Sequence, residues 1–328
     1  MGTPKVLITG ATGFVGAHVT SRLAEHGVAI RALVRESSDT RLLERIGAER
    51  VSGSLTEPES LRRAARDVDV IVHLAALTSA RSVAGYHRVN ETGTRDLVRA
   101  AVQADQRPRR FVYLSSLAAA GPSVDDEPVR PGDTPRPLTA YGRSKLAGEI
   151  VCRDAAEQIE VCILRAPAVY GPGDREMFRF FRMARLGFVP VPAGPDRRLQ
   201  FVHVGDLAGA IVRAVLAPTA DGLFHIAEPR AYADREFARL VGAAVGRNVG
   251  IVKVPAAALK LAASLNEAAC GLLGRSSVFN RDKAEELLAS AWLCETGTAR
   301  DVLGFEAETP LPRGLRETAL WYERNGWL

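Results

Sequence analysis

The sequence predicts an α/β protein built on a doubly wound parallel sheet, and three observations carry that expectation. Up to about residue 170, short apolar runs alternate with longer stretches of helical periodicity, the pattern of βαβ units. The first apolar run leads directly into a glycine-rich turn, Gly10 to Gly16, that opens a helical stretch. The composition, 47% hydrophobic and 25% charged over 328 residues, supports a full-sized core and excludes a disordered chain or a small stapled scaffold.

Taken in order, strands are expected at Val6–Thr9, Ala29–Val34, Val70–His73, Arg110–Leu114 and Val161–Ala166. Helices at Val15–Glu25, Ser60–Ala65, Thr94–Ala104 and Ala140–Ala156 separate them, each able to cover a sheet face through a right-handed crossover. After Tyr170 the punctuation thickens, with Gly171-Pro172-Gly173, Pro190-Val191-Pro192 and Gly194-Pro195. Helical patterns resume at Leu207–Leu216, Arg235–Val245 and Lys283–Ala291. Residues 1–170 are thus expected to form a nucleotide-binding domain. Residues 171–328 should form mainly a smaller substrate-binding α/β part, packed with the first as one unit because no flexible linker or repeat divides them.

Charge argues against nucleic acid as a partner. The 43 basic and 38 acidic residues leave a net charge of +5, and the basic residues are arginines interspersed with acids, apart from Lys5, Lys145, Lys253, Lys260 and Lys283. Cys152, Cys162, Cys270 and Cys294 show neither C-x-x-C spacing nor disulfide-scaffold density, so a reduced, cytoplasmic chain is expected. The N-terminus runs straight into Val6-Leu7-Ile8 without a signal-like segment. No window reaches the ~18 uninterrupted apolar residues of a spanning helix, so stable membrane insertion is not expected. The nearest, Pro255 to Leu273, is interrupted by Lys260, Asn266 and Glu267 and reads as a substrate-domain helix or cap. The six histidines form no H-E-x-x-H or Cys/His ligand spacing, so no metal is expected, and His73 and His203 read as packing or supporting residues.

The turn Gly10-Ala11-Thr12-Gly13-Phe14-Val15-Gly16 sits between a strand and a helix, where backbone N–H groups and the helix dipole favour a pyrophosphate. Gly10 permits the tight turn, Gly13 the approach of a phosphate, and Gly16 close packing of the helix. A glycine-rich turn without a ligand is the plainer reading. The G-x-x-G-x-x-G spacing resembles the extended branch of the short-chain dehydrogenase/reductase superfamily, within the NAD(P)-dependent epimerase/dehydratase family. Further resemblances follow along the chain: Val70 to Ala76, Asn90-Glu91-Thr92-Gly93-Thr94, and Tyr141-Gly142-Arg143-Ser144-Lys145 as the Y-x-x-x-K signature. The resemblance implies a Rossmann fold, a nicotinamide dinucleotide, and contacts from Thr12, Phe14, Val15, Ser54, Leu55, Leu74, Ala75 and Ala76. It also implies a homodimer through the Thr94–Ala104 and Ala140–Ala156 helices.

At the end of the second expected strand, Val34 cannot accept bonds from ribose hydroxyls, whereas Arg35 offers a guanidinium suited to a 2′-phosphate. Members resembling dihydroflavonol reductases use NADPH in this way. NADP(H) is therefore favoured and NAD(H) is the alternative, because Glu36 could bind a ribose or neutralise Arg35, and Arg35 could be one more surface arginine. Ser54 stands where the family usually has an acid.

Tyr141 and Lys145 lie one helical turn apart, so a lysine ammonium and a cationic nicotinamide could draw the phenol toward acid/base use. In the resembling family Lys145 also binds the nicotinamide ribose. Register with the family selects Ser116 as the third catalytic residue, with Ser115 competing because strand neighbours face opposite sides. Pro167 and Val169 resemble the loop over the nicotinamide carboxamide, although Pro167 could simply end a strand.

The leading expectation is reduction of a small-molecule ketone or aldehyde to an alcohol, with Tyr141 as proton donor. The alternative is a nucleotide-diphosphate-sugar epimerase or dehydratase with tightly bound NAD, and a third reading is a non-catalytic redox sensor. Leu199 stands where the epimerase pattern has a pyrophosphate-binding arginine, though Arg197 or Arg198 could supply a displaced contact. Gln200-Phe201-Val202-His203 looks like the dihydroflavonol-reductase type. The apolar stretch Leu259–Leu273 and the aromatic run Met177–Phe181 could be a substrate wall or core.

Overall fold

The computed structural model describes residues 3–273, 277 and 279–328. Seven strands form one parallel sheet: β1 (Lys5–Thr9), β2 (Ala29–Val34), β3 (Glu49–Ser52), β4 (Val70–His73), β5 (Arg110–Ser116), β6 (Glu160–Ala166) and β7 (Gly222–His225). Their spatial order is β7-β6-β5-β4-β1-β2-β3. The chain therefore winds outward from β1 in one direction and from β4 in the other, leaving a crevice at the carboxyl ends of β1 and β4 where ligands of such sheets bind.

Alternation along the strands divides the core into two layers. Val6 and Ile8 on β1, Val70 and Val72 on β4, and Cys162 and Leu164 on β6 share one face. Over it lie α1 (Phe14–Glu25), through Val19 and Leu23, and the helix Val204–Leu216, through Leu207, Ile211 and Val215. Leu7, Ile71, Phe111, Tyr113 and Ile163 point the other way. They meet α2 (Pro58–Ala65), α3 (Gly93–Val102) and α4 (Ala140–Arg153) through Leu61, Leu97, Ala101 and Val151. Both faces are covered, which is why the strands read as continuous apolar runs.

Two strands of this sheet were not legible in the sequence. Edge strand β3 reads Glu-Arg-Val-Ser and buries none of its four residues, so it has no apolar run. Strand β7 is only Gly-Leu-Phe-His, with its last two residues buried. The expected helix at Lys283–Ala291 stops at Leu288, because Ala291 pairs with Arg198 in a small sheet.

A second core gathers Tyr170, Phe181, Val189, Phe201, Tyr232, Phe237, Leu315 and Tyr322. The aromatic run Met177–Phe181 belongs to it. Met177 and Phe181 are buried, Phe178 packs its ring 5.1 Å from Tyr322, and Phe180 lies 5.4 Å from Phe237. Among the described residues no helix is long and apolar enough to cross a membrane.

Candidate active site

The glycine turn lies in the crevice, and its backbone leaves little choice of residue. Gly10 has φ +75°, and a Cβ there would stand 2.8 Å from the Ala75 nitrogen. At Gly16 a Cβ would meet the Gly10 carbonyl oxygen at 1.9 Å, so this glycine is what lets α1 settle onto the turn. Gly13 donates its N–H to Gly10 O at 3.0 Å and borders α1, whose first turn has no side-chain cap. An uncapped helix start beside an exposed Thr12 and half-buried Phe14 and Val15 is a set of N–H donors suited to a dinucleotide pyrophosphate. Leu74, Ala75 and Ala76 leave β4 half-buried beside the turn, and Ala75 N donates to Thr9 Oγ1 at 3.3 Å. The cradle fits NAD(P).

Beyond β2, Arg35 and Glu36 are both exposed. Nearby, Asp39 pairs with Arg41 and Glu44 with Arg50, while Arg35 and Glu36 make no ion pair among the described residues. The guanidinium of Arg35 is thus uncommitted, and its backbone N–H donates to Ser38 Oγ at 3.2 Å. Ser54 is half-buried with its hydroxyl already bonded to Thr56 and Glu57, at 3.0 and 3.1 Å. Leu55 is buried where a Cβ on Gly93 would touch it at 2.9 Å.

Helix α4 begins where Thr139 Oγ1 accepts from Gly142 N at 3.0 Å, an N-cap that fixes Tyr141 in the first turn. Lys145 is only 2% exposed, donates through Nζ to Leu114 O at 2.7 Å and sits 4.1 Å over the Tyr113 ring. Burial lowers its pKa to about 7. Ser116 ends β5. Its Oγ accepts from Ala118 N at 3.2 Å and lies beside the Tyr141 hydroxyl. Ser115 points away, donating to buried Glu149 at 2.6 Å. Burial, aided by the Glu286 carboxylate, pushes Tyr141 above its ordinary value, and the nearby Ser116 hydroxyl offsets this only in part. The resident groups therefore keep the phenol protonated.

Several site residues carried no assignment from sequence. Asn90 sits in a π-helical segment, His87–Thr92, a widened turn that aims its side chain inward. Its Oδ1 accepts from Leu77 N at 2.8 Å, and its Nδ2 donates to Leu77 O at 3.0 Å and Ser144 Oγ at 2.9 Å. Its place in Asn-x-x-Gly-Thr was the available signal. Asp282 and Glu286, on the helix Arg281–Leu288, reach the start of α4: Asp282 accepts from Ala140 N at 2.6 Å and Glu286 from Thr139 Oγ1 at 3.3 Å. No motif marked them.

Pro167 separates β6 from the short strand Ala168–Tyr170 and, with Val169, stays half-buried past the sheet's carboxyl edge. His73 is buried between Thr9 and Thr94, whose hydroxyls lie 2.6 and 3.0 Å from its ring nitrogens. Burial pushes its pKa down to about 3, so it is a neutral hydrogen-bonding bridge. His203 caps the helix Val204–Leu216 by accepting from Gly205 N at 3.2 Å.

The sequence profile of the NAD dependent epimerase/dehydratase family matches residues 6–227. A ceramide reductase of Caulobacter vibrioides is 33% identical over 325 residues, covering 98% of this chain and 96% of that protein. A 4-hydroxy-2-methyl-3-oxo-4-farnesyl-3,4-dihydroquinoline-1-oxide ketoreductase of Stigmatella aurantiaca is 27% identical over 88% of this chain and 92% of its own. Among solved structures, a UDP-glucose 4-epimerase of Thermotoga maritima superposes with a TM-score of 0.80 at 22% identity, covering 98% of this chain and 99% of that one.

Proposed function

The chain belongs to the NAD dependent epimerase/dehydratase family, and on that premise we propose that it is an NADP(H)-dependent reductase that converts a ketone on a lipid-like substrate to an alcohol. The observation that carries this reading is the state of Arg197. Leu199 removes the arginine that would bind a sugar-nucleotide diphosphate, and Arg197, one of its two substitutes, is committed elsewhere. Its Nε and Nη2 donate to Asp234 at 2.7 and 2.5 Å, and the side chain is nearly buried. Arg198 points to Asp126, 3.9 Å away. The similarity to a ceramide reductase and a farnesylated-quinoline ketoreductase supports a bulky apolar ketone. The similarity to enzymes leaves the non-catalytic sensor without support.

The bound nicotinamide would supply the hydride. Gly10, Thr12, Gly13, Phe14, Val15 and Gly16 would hold the pyrophosphate, Arg35 the 2′-phosphate, and Ser54, Leu55 and Leu74 to Ala76 the adenosine side. Pro167 and Val169 would line the nicotinamide, and Lys145 would bind its ribose. Ser116 orients the carbonyl oxygen by hydrogen bonding, and Tyr141 gives its phenolic proton to that oxygen as the alcohol forms. A homodimer through α3 and α4 would cover Ile150, exposed on α4.

Cofactor choice is tested at Arg35. Charge-assisted bonds to a phosphate contribute about 1.5–3 kcal/mol, so Arg35→Ala should weaken NADPH binding roughly ten- to a hundredfold and leave NADH binding nearly unchanged. Titration by fluorescence quenching reads both constants. An unchanged ratio means that Arg35 does not read the phosphate.

A further inference from the structure

The helix Ala256–Leu272, here α5, carries its apolar face on the wrong side for a helix packed on a protein. Of its seventeen residues only Ala263 is buried, whereas Leu261, Leu265 and Leu272 are 61, 63 and 91% exposed. At 3.6 residues per turn these three leucines fall within an arc of about 40°, nearly opposite Ala263. The polar residues turn to the flanks and inward. Lys260 pairs with Glu285 at 2.9 Å, Asn266 Nδ2 donates to Phe279 O at 2.8 Å, and Glu267 lies 3.8 Å from Arg281.

The surface leading into α5 continues this character. Gly250–Val254 pairs with Phe188–Pro192, leaving Val252 and Phe188 exposed, and Leu186 just before them is 76% exposed. Arg179, Arg182 and Lys253 are exposed there with no ion pair among the described residues, while Arg185 pairs with Glu323 at 3.3 Å and Lys260 with Glu285, so the uncompensated charge on these segments is positive. The helix on which α5 rests, Arg281–Leu288, is the one that supplies Asp282 and Glu286 to the start of α4, so this face stands one helix away from Tyr141.

We propose that the outward face of α5, with Leu186, Phe188 and Val252, docks on an anionic lipid surface. Leucines entering the headgroup boundary and arginines and lysines meeting anionic lipid are the two attractions that hold an interfacial helix. The further step, that docking presents the site to a ketone held in the lipid, rests on the function proposed above. The docking itself does not.

Cosedimentation of the full-length protein with vesicles of phosphatidylcholine alone, or with 30% phosphatidylglycerol, tests it. The expected result is pelleting with the anionic vesicles, weakened at least about tenfold by Leu261→Ser/Leu265→Ser/Leu272→Ser and several-fold by Arg179→Gln/Lys253→Gln. If the triple variant does not fold, Leu265→Ser alone reads the same face. Wild-type protein that stays in the supernatant with both vesicles overturns the proposal, as does a triple variant that pellets like wild type. So does light scattering without vesicles that shows the triple variant splitting a dimer, since a second copy would then occupy the face. Vesicle binding is read without ketone or cofactor. Protein that binds but reduces nothing counts against the reductase reading alone, and protein that reduces a soluble ketone but ignores vesicles counts against this one alone.

Discussion

Tyr141→Phe should lower ketone turnover roughly a hundred- to ten-thousandfold, the range of a lost general acid, while NADPH binds within about twofold of wild type. The ring remains available to pack beside Tyr86, 6.1 Å away between centroids, so the substitution removes one hydroxyl and little else. That hydroxyl lies beside Ser116 and is the proton source in the proposed mechanism. The raised pKa of the phenol gives a second, independent signature. A reductase begins from protonated tyrosine, so the phenol imposes no loss of kcat for reduction from about pH 6 to 9 and any fall near pH 7 belongs to Lys145, whereas alcohol oxidation, which begins from phenolate, should rise with pH across the same window. Steady-state rates in both directions measure this. Retained turnover in Tyr141→Phe assigns the proton to another group.

Glu149→Ala should destabilise the fold by about 3–5 kcal/mol, the usual result of stranding a buried charge. Glu149 on α4 is fully buried and receives Arg165 of β6 through two bonds, at 2.8 and 2.7 Å, and Ser115 of β5 at 2.6 Å. Arg165 Nη1 already lacks a partner, so the guanidinium depends on this carboxylate. The loss is a large share of the stability of a marginal domain, and it falls on the junction that seats α4 against the strand bearing Ser116. Replacing both partners, Glu149→Leu with Arg165→Met, should recover most of the loss because neither charge is then left buried. Urea unfolding midpoints decide it. Equal midpoints for wild type and Glu149→Ala mean that the pair contributes nothing.

How much of this was legible in the sequence depended on how far apart the cooperating residues lie along the chain. The glycine turn, Tyr141 with Lys145, and the apolar strands are local patterns with a fixed backbone cause, and they sit where the spacing placed them. Ser115 and Ser116 could not be separated by alternation alone. Only the fold shows that Glu149, thirty-four positions from Ser115, takes its hydroxyl and leaves Ser116 toward Tyr141. The raised pKa of Tyr141 has a similarly remote cause: Glu286, which adds to burial, comes from a helix 145 residues downstream. Arg197 reads as a phosphate candidate in the sequence, and only the fold places Asp234, thirty-seven positions away, against it. Composition could not decide whether Leu259–Leu273 was substrate wall or core, because an exposed leucine stripe and a buried one have the same period.

The most direct test of an exchangeable, NADP-dependent reductase is the cofactor the protein itself carries and prefers. Purified protein would be denatured and any released nicotinamide identified by mass spectrometry, then the cofactor-free protein titrated with NADPH and NADH. The account predicts an empty or exchangeable site that binds NADPH more tightly. Stoichiometric, non-exchanging NAD contradicts it and places the chain with the nucleotide-sugar epimerases of its family.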